Sequence, residues 1–530
     1  ALYRRRNGVE ECVQNYLGFA GDDLPAPQPS SVWPIQRLRW TDHLVDAGDE
    51  VSYRVVARVG ASRSQLQDGE SSQWTSPILV TPGAKIGVYF NRGIIASQWV
   101  TRLLGGGNAA ALDQRLNTAI AQPGDPARNA LSGMARERLL GLLASARRTG
   151  AHVYASIYEL DDPELIAALL ALGPRAHVIL ANGSKQRIAH TSPAQYTDGN
   201  EASRAQLANH VDLYPRLVDG EHLCHHKFAV VVTGSGPRRV WTGSTNWTQT
   251  GLCTQANNGL LVESRSVAAA FYRQWQRLRD AGSAYPASLL AADDVPATAR
   301  VDGARVTTWF APTTNGADLD AARAVLDRAQ HGILFVMFNP GPANTLLTKI
   351  LELRDQKTAD GRPRLYVRGV INQDPGGAKH PVLRYGPETH AVPLDKSVLL
   401  PAAIEHDFGY WRTELRKLSR GFAMVHSKVI VVDPFGPQPV LITGSHNMGP
   451  KASRANDDNL VIIEGHRAAA AAHACVIMTI YDTYHWREWQ LQYAVSHRQN
   501  VGTHLRTSGS WQTWPLVQGG RQETDFWFGG

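Results

Sequence analysis

The chain has 530 residues, 43% of them hydrophobic and 19% charged, with a formal net charge of +7 at pH 7. These are the proportions of an ordinary globular protein, and the length allows about three domain-sized units. Four cysteines are too few for a disulfide-built scaffold, and the densest basic run, Arg4 to Arg6, is too short for a nucleic-acid-binding tail.

Residues 1–85 read as a separate small β unit. Val51, Tyr53 and Val55 alternate with polar neighbours, the pattern of a half-buried strand. Trp33 to Trp40 and Trp74 to Val80 read as further strands between Gly/Ser/Asp-rich turns, and Ala1 is expected inside a first strand. The spacing resembles a fibronectin type III or immunoglobulin-like sandwich. Such a unit serves as a structural appendage or attaches the protein to a substrate or wall.

A βα order then begins and is repeated. In residues 86–300, Ala135 to Arg148 has helical periodicity, His152 to Ile157 reads as a strand, Pro163 opens a helix, and Ala176 to Leu180 returns as a strand. In residues 301–530, Leu319 to Ala329 is helical, Ile333 to Phe338 a strand, Asn344 to Leu353 helical and Leu365 to Ile371 a strand. Further helices follow at Val267 to Leu278 and Ala468 to Tyr484. Alternation of this kind predicts an α/β class, with helices on the faces of a sheet in each half. The segment from Asn372 to Gly421, rich in Pro, Gly and His, is long enough to form a lid or pocket wall.

The two halves share more than order. His225 and Lys227 match His426 and Lys428; Gly243, Ser244 and Asn246 match Gly444, Ser445 and Asn447; Asn258 matches Asn459 and Glu263 matches Glu464. Every pair is 201 positions apart, so the span from His to Glu has neither gained nor lost a residue in either copy. Surface segments drift in length, so equal spans carrying the same polar residues mark a duplicated unit whose polar groups converge. Phe228 to Val232 and Val429 to Val432 are apolar, β-branched runs, so each His-x-Lys opens a buried strand. Residues i and i+2 share a strand face, which points each His with its Lys and turns His226 and Ser427 away.

His-x-Lys followed by Gly-Ser-x-Asn resembles the phospholipase D superfamily, the HKD phosphodiesterases, and most closely its secreted bacterial phospholipases D. The second copy carries the full motif, with Asp433; the first has Val232 at the equivalent position. The resemblance covers roughly residues 86–530 and implies two pseudo-symmetric α/β/α halves and a chain that works as a monomer. It implies His225 as nucleophile and His426 as acid/base, with Glu263 and Glu464 as the acidic partners that orient them. The motif Asp is mainly a supporting residue in the family, so its loss at Val232 is expected to be tolerated; a first half that only binds phosphate is the competing reading.

The residue types suit this chemistry. Lys227 and Lys428 can neutralise the non-bridging oxygens of a phosphodiester, and Asn246, Asn447, Ser244 and Ser445 can add donors. Neutral imidazole attacks phosphorus, and a second imidazole protonates the leaving alkoxide. No CxxC, HExxH or acidic metal-loop pattern is present, so no metal or cofactor is expected. Phospholipid at a membrane or micelle surface is the favoured substrate, with nucleic acid as the alternative and a catalytically inactive binding or adhesion protein as the third reading. The longest apolar run, Ala468 to Ile480, is interrupted by His473 and is too short to cross a bilayer. No signal peptide is visible and the first residue is not Met, so a leader has room to have been removed; the expectation leans to a secreted or periplasmic location. Cys224 and Cys253 flank the first motif and are either buried thiols or a disulfide. Aromatic residues at Trp247, Trp309, Phe310, Phe408 to Trp411 and Phe526 to Phe528 are expected mainly in core packing.

Overall fold

The structure, a computed structural model, describes residues 1–22, 26–42, 44–46, 48–80, 85–93, 103–104, 109–188, 195–220, 222–372, 398–399, 425–497, 504–516 and 518–528. The expected lid before the second motif, with Phe408 to Trp411, lies almost wholly outside these residues. Two compact units are present, Ala1–Pro82 with Trp486–Gly529, and Gly83–His485.

The first unit is built on one antiparallel sheet in the order β2-β1-β5-β6, with β7 added to β5. Its strands are β1 (Leu2–Arg6), β2 (Val9–Cys12), β5 (Glu50–Val59), β6 (Gln67–Ser71) and β7 (Ile78–Leu79). A two-stranded ribbon joins β3 (Gln14–Asn15) to β4 (Gln28–Pro29). Among the described residues this is a small β-sheet region of one five-stranded sheet and a two-stranded ribbon. Trp33 to Trp40 is not a strand: Trp33 is buried from a loop, in a cluster with Phe19 and Leu505. Arg4 is buried on β1 and forms ion pairs with Glu11 and Asp42.

In the second unit the duplication is plain. The first half has a seven-stranded sheet, β11-β10-β9-β13-β14-β15-β8, and the second an order that repeats it, β20-β19-β18-β21-β22-β23-β17, with β16 at the edge. The first set comprises β8 (Ile86–Phe90), β9 (His152–Ile157), β10 (Ala176–Ala181), β11 (Asp212–Arg216), β13 (Lys227–Thr233), β14 (Gly236–Gly243) and β15 (Asn258–Val262). The second comprises β16 (Ala297–Val301), β17 (Ala304–Ala311), β18 (Gly332–Met337), β19 (Tyr366–Ile371), β20 (Val398–Leu399), β21 (Val429–Val432), β22 (Val440–Gly444) and β23 (Asn456–Glu464). In each half three parallel strands meet an antiparallel motif strand, β9 against β13 and β18 against β21. The central strands are apolar and buried along their length, as expected of a sheet covered on both faces. Helices Pro126–Arg148 and Pro163–Leu172 pack on the first sheet, and Ala317–Leu326 and Leu346–Asp355 on the second.

The halves are tied at their motifs. The short strand β12 (Leu223–Cys224) leaves the first half and pairs in parallel with β23, and Ala256 forms the matching bridge to Val425. As a result the His225 N–H donates to the Asp457 carbonyl at 2.9 Å, and the His426 N–H to the Ala256 carbonyl at 3.0 Å. Each motif histidine therefore hangs from the backbone of the opposite half.

Candidate active site

His225 and His426 line one cavity of about 950 Å³, together with Asn246, Asn447, Tyr158 and Phe338. The cavity lies at the C-terminal ends of β9 and β18, where ligands of α/β sheets usually bind. Tyr158 follows β9 and sets its ring edge-on to His225, 4.8 Å between centroids; Phe338 follows β18 and meets His426 at 4.7 Å. The lysines are buried behind the histidines. Lys227 Nζ donates to the His225 carbonyl at 2.6 Å and lies over Tyr158, while Lys428 Nζ donates to the His426 carbonyl at 2.6 Å and lies over Phe338.

The groups that orient the histidines are not the expected glutamates. His225 Nδ1–H donates to Asp458 Oδ1 at 2.8 Å, and His426 Nδ1–H to Asn257 Oδ1 at 2.9 Å. Asn257 and Asp458 are themselves 201 positions apart, and each serves the histidine of the other half. Glu263 pairs instead with Arg239 at 3.6 Å, and Glu464 with Arg328 at 2.7 Å and Arg305 at 3.8 Å. The reason is strand length: five residues at about 3.3 Å each put the glutamates roughly 16 Å along the chain from Asn258 and Asn459. Their match between the halves reflects strand ends that hold arginines.

The motif serines also differ from expectation. Ser244 Oγ donates to Asn257 Oδ1 at 2.8 Å and Ser445 Oγ to Asp458 Oδ1 at 2.6 Å, so the hydroxyls brace the groups behind the histidines. Asn258 Nδ2 donates to Thr443 Oγ1, and Thr242 Oγ1 to Asn459 Oδ1, both at 2.9 Å, which cross-links the halves symmetrically. Gly243 and Gly444 have φ of +140° and +142°, and a Cβ there would lie 2.4 Å from the Asn258 carbonyl oxygen and 2.2 Å from that of Asn459. Asn246 and Asn447 do reach the cavity; the Asn246 amide donates to Glu159, another lining residue that the sequence analysis missed. Asp433 lies at the far end of β21 and accepts the N–H groups of Gln330, His331 and Gly332, each at 2.8 Å.

His226 is fully buried, with Nδ1 at 3.3 Å from Asn459 Nδ2 and its ring against Phe228 and Phe310. Trp247, Trp309 and Phe310 are buried, whereas Phe528 is exposed. Cys224 and Cys253 are free thiols, one beside Ser156 and the other beside the Arg128 carbonyl. Among the described residues no group of three or more His, Cys, Asp or Glu is placed to hold a metal ion, and no helix is long and apolar enough to cross a membrane.

Burial, reinforced by Lys227, lowers the His225 pKa to about 4, so the ring is neutral at rest. Burial also pushes His426 well below its usual range, with Lys428 and Lys227 adding to the effect. Lys227 falls to about 8 by burial, and Lys428 is lowered for the same reason. Burial alone would raise Asp458, but its pairing with His225, through the Nδ1–H hydrogen bond, outweighs this and keeps the carboxyl below its ordinary range. The cavity thus joins two neutral imidazoles to two lysines whose charged forms burial penalises, a site that gains most by admitting an anion.

A family model described as "Cardiolipin synthase, PLD-like domain" matches residues 139–279 and 401–476, one segment around each motif. Each of these segments is similar to a phospholipase D-like domain, and each encloses one His-x-Lys motif. No curated protein matches the chain. Solved structures similar to it include polyphosphate kinase from Porphyromonas gingivalis, at 11% identity over 73% of this chain and 54% of that one, with a TM-score of 0.38. Phosphatidylserine synthase from Haemophilus influenzae Rd KW20 is 12% identical over 69% of this chain and 92% of its own, with a TM-score of 0.41. Nuc, a phospholipase D family member from Salmonella typhimurium, is 20% identical over 28% and 88%, with a TM-score of 0.21. The chain spans about half the length of the kinase. The two halves meet at the paired histidines, with one motif contributed by each.

Proposed function

We propose that the chain is a phosphodiesterase that cleaves the distal phosphodiester of glycerophospholipids to phosphatidic acid and can pass the phosphatidyl group to another alcohol. The observation that carries this reading is the pair of cavity-lining histidines, each held at Nδ1 so that Nε2 is left for chemistry. His225 Nε2 gives its lone pair to phosphorus, and the bond from phosphorus to the leaving oxygen breaks as the P–N bond forms. His426 in its protonated form passes its Nε2 proton to the leaving alkoxide. It then takes a proton from water or an alcohol, whose oxygen attacks phosphorus and breaks the P–N bond. Asp458 stabilises the positive charge that builds on the His225 ring. The substrate anion itself favours protonation of His426 and the charged lysines, reversing their resting tendency.

Lipid is favoured over nucleic acid by the charge of the cavity lining. Among the described lining residues Glu159 and Asp161 are set against Lys451, whereas a nucleic-acid strand brings flanking phosphates that call for a basic track. The test is phosphorus NMR of phosphatidylcholine vesicles with ethanol and EDTA. Signals of phosphatidic acid or phosphatidylethanol are expected, and they should vanish in His225→Ala. Intact lipid beside cleaved nucleic acid under the same conditions would make the protein a nuclease, and silence on both would leave a binding protein.

A further inference from the structure

The halves repeat one another closely around the histidines, so the place where they differ is informative. Backbone anchor, lysine, aromatic ring and bracing serine are all paired across the site. The acceptor on Nδ1 is not: it is a carboxylate, Asp458, for His225 and an amide, Asn257, for His426. The amide is fixed in this orientation. Asn257 Nδ2 donates to the Gly251 carbonyl at 2.8 Å, leaving Oδ1 for His426 and Ser244, and its own N–H donates to Asn91 Oδ1 at 2.9 Å.

We propose that Asn257 is a positioning residue that makes the two histidines unequal, holding His426 as the proton donor and preventing the pair from exchanging roles. This inference rests on the phosphohistidine reading above. A carboxylate on Nδ1 stabilises an imidazolium and strengthens the lone pair at Nε2, whereas an amide fixes the tautomer without adding charge. Among the described residues, the groups found to act on His426 are Lys428 beside it, Lys227 and His225 from the first motif, the Ser244 backbone, Asn257 and the Phe338 ring, and no carboxylate is among them. A protonated His426 is therefore a strong acid, ready to release its proton to the alkoxide and poorly suited to carry a phosphoryl group as a cation. His225 has the opposite qualities.

The test exchanges the acceptors in the full chain by combining Asn257→Asp with Asp458→Asn. Enzyme mixed with phosphatidylcholine vesicles is quenched in alkali, and the modified histidine is located by peptide mass spectrometry. The modification is expected on His225 in the natural chain and on His426 in the exchanged one. Modification of His225 in both, or of both histidines in the natural chain, overturns the inference. If neither protein forms a phosphoenzyme, the phosphohistidine reading itself has failed, and NMR titration of the imidazoles decides the remainder. Asn257→Asp alone should raise the His426 midpoint by at least about one pH unit, as a new carboxylate neighbour does, and an unmoved midpoint would refute the assignment. Should the lost Gly251 bond stop that variant folding, Asp458→Asn must lower the His225 midpoint while leaving His426 in place; an unmoved His225 overturns the inference equally.

Discussion

Asp433, the one HKD residue missing from the first half, should matter for stability and not for chemistry. In Asp433→Ala three N–H groups lose a charged acceptor. Gln330 and His331 are exposed and regain water, whereas Gly332 is buried and keeps an unsatisfied donor. An orphaned buried donor costs about 1–3 kcal/mol, and with a smaller loss at the exposed pair the sum is about 2–4 kcal/mol. Urea unfolding followed by tryptophan fluorescence should show an unfolding free energy reduced by that amount and a correspondingly lower midpoint. Turnover measured well below the transition should stay within about tenfold of the natural chain. The first half, which carries Val232, has other partners at the equivalent turn. There Ala151 N–H donates to the Ala146 carbonyl at 2.9 Å and Gly150 N–H to that of Arg147 at 3.3 Å, so the helix end takes two of the three N–H groups that the carboxylate takes in the second half. Val232→Asp should accordingly change activity by less than about tenfold. An unchanged midpoint in Asp433→Ala, or a hundredfold loss of turnover in a folded variant, would refute this account.

Two further outcomes follow from the site. Glu263→Gln and Glu464→Gln should leave kcat within about twofold, whereas Asp458→Asn should lower it by about 10²- to 10⁴-fold through loss of the tautomer-setting carboxylate; steady-state kinetics in which a glutamate variant falls further than the Asp458 variant would restore the glutamates as partners. Stability should also decline with acid. His225 and His473 are depressed to about 4 and His226 to about 3, in each case chiefly by burial. Because these pKa values lie below the unfolded value, the unfolded chain takes up protons first, so stability is complete above about pH 6.5 and lost as pH falls toward 4 and then 3. Asp293, raised by burial to about 8, and His446, raised by Asp318 against the effect of burial, oppose this. The buried depressed histidines, His426 among them, should outweigh these and give a lower urea midpoint at pH 5 than at pH 7, and a midpoint higher at pH 5 would mean that the histidines are not buried as neutral rings.

What the sequence made legible was whatever the two copies keep in common. The constant offset picked out His225, Lys227, Asn246 and their partners, and strong apolar runs placed β9, β18 and β21 within a residue or so of their observed bounds. The same logic misled at Glu263 and Glu464, because a residue shared by both copies can be shared for its place at a strand end. It also hid Asn257 and Asp458, which occupy equivalent positions but differ in kind, and which act on histidines 169 and 233 residues away in the chain. In the first unit β2 and β6 are exposed on both faces, so neither carries the alternation that reveals a strand. Trp33 looked like strand material because it is large and apolar, and it is buried from a loop instead.

The cross-half construction accounts for the unvarying spacing. Between His225 and Asn258 the chain runs through a motif strand, a hairpin and a returning strand, then places Asn257 beneath the other half's histidine and Asn258 against the other half's Thr443. The second half sends Asp458 and Asn459 back to His225 and Thr242 in the same way. Side chains alternate along a strand, so a slip of one residue in either hairpin would turn these groups to the wrong face. The error would be felt across the interface, at a histidine the slipped strand does not itself carry. A loop insertion elsewhere costs little, but an insertion within this span would break the opposite motif as well as its own. Constant length is therefore what two mutually braced motifs require, and neither half alone contains a histidine with both its backbone anchor and its Nδ1 acceptor.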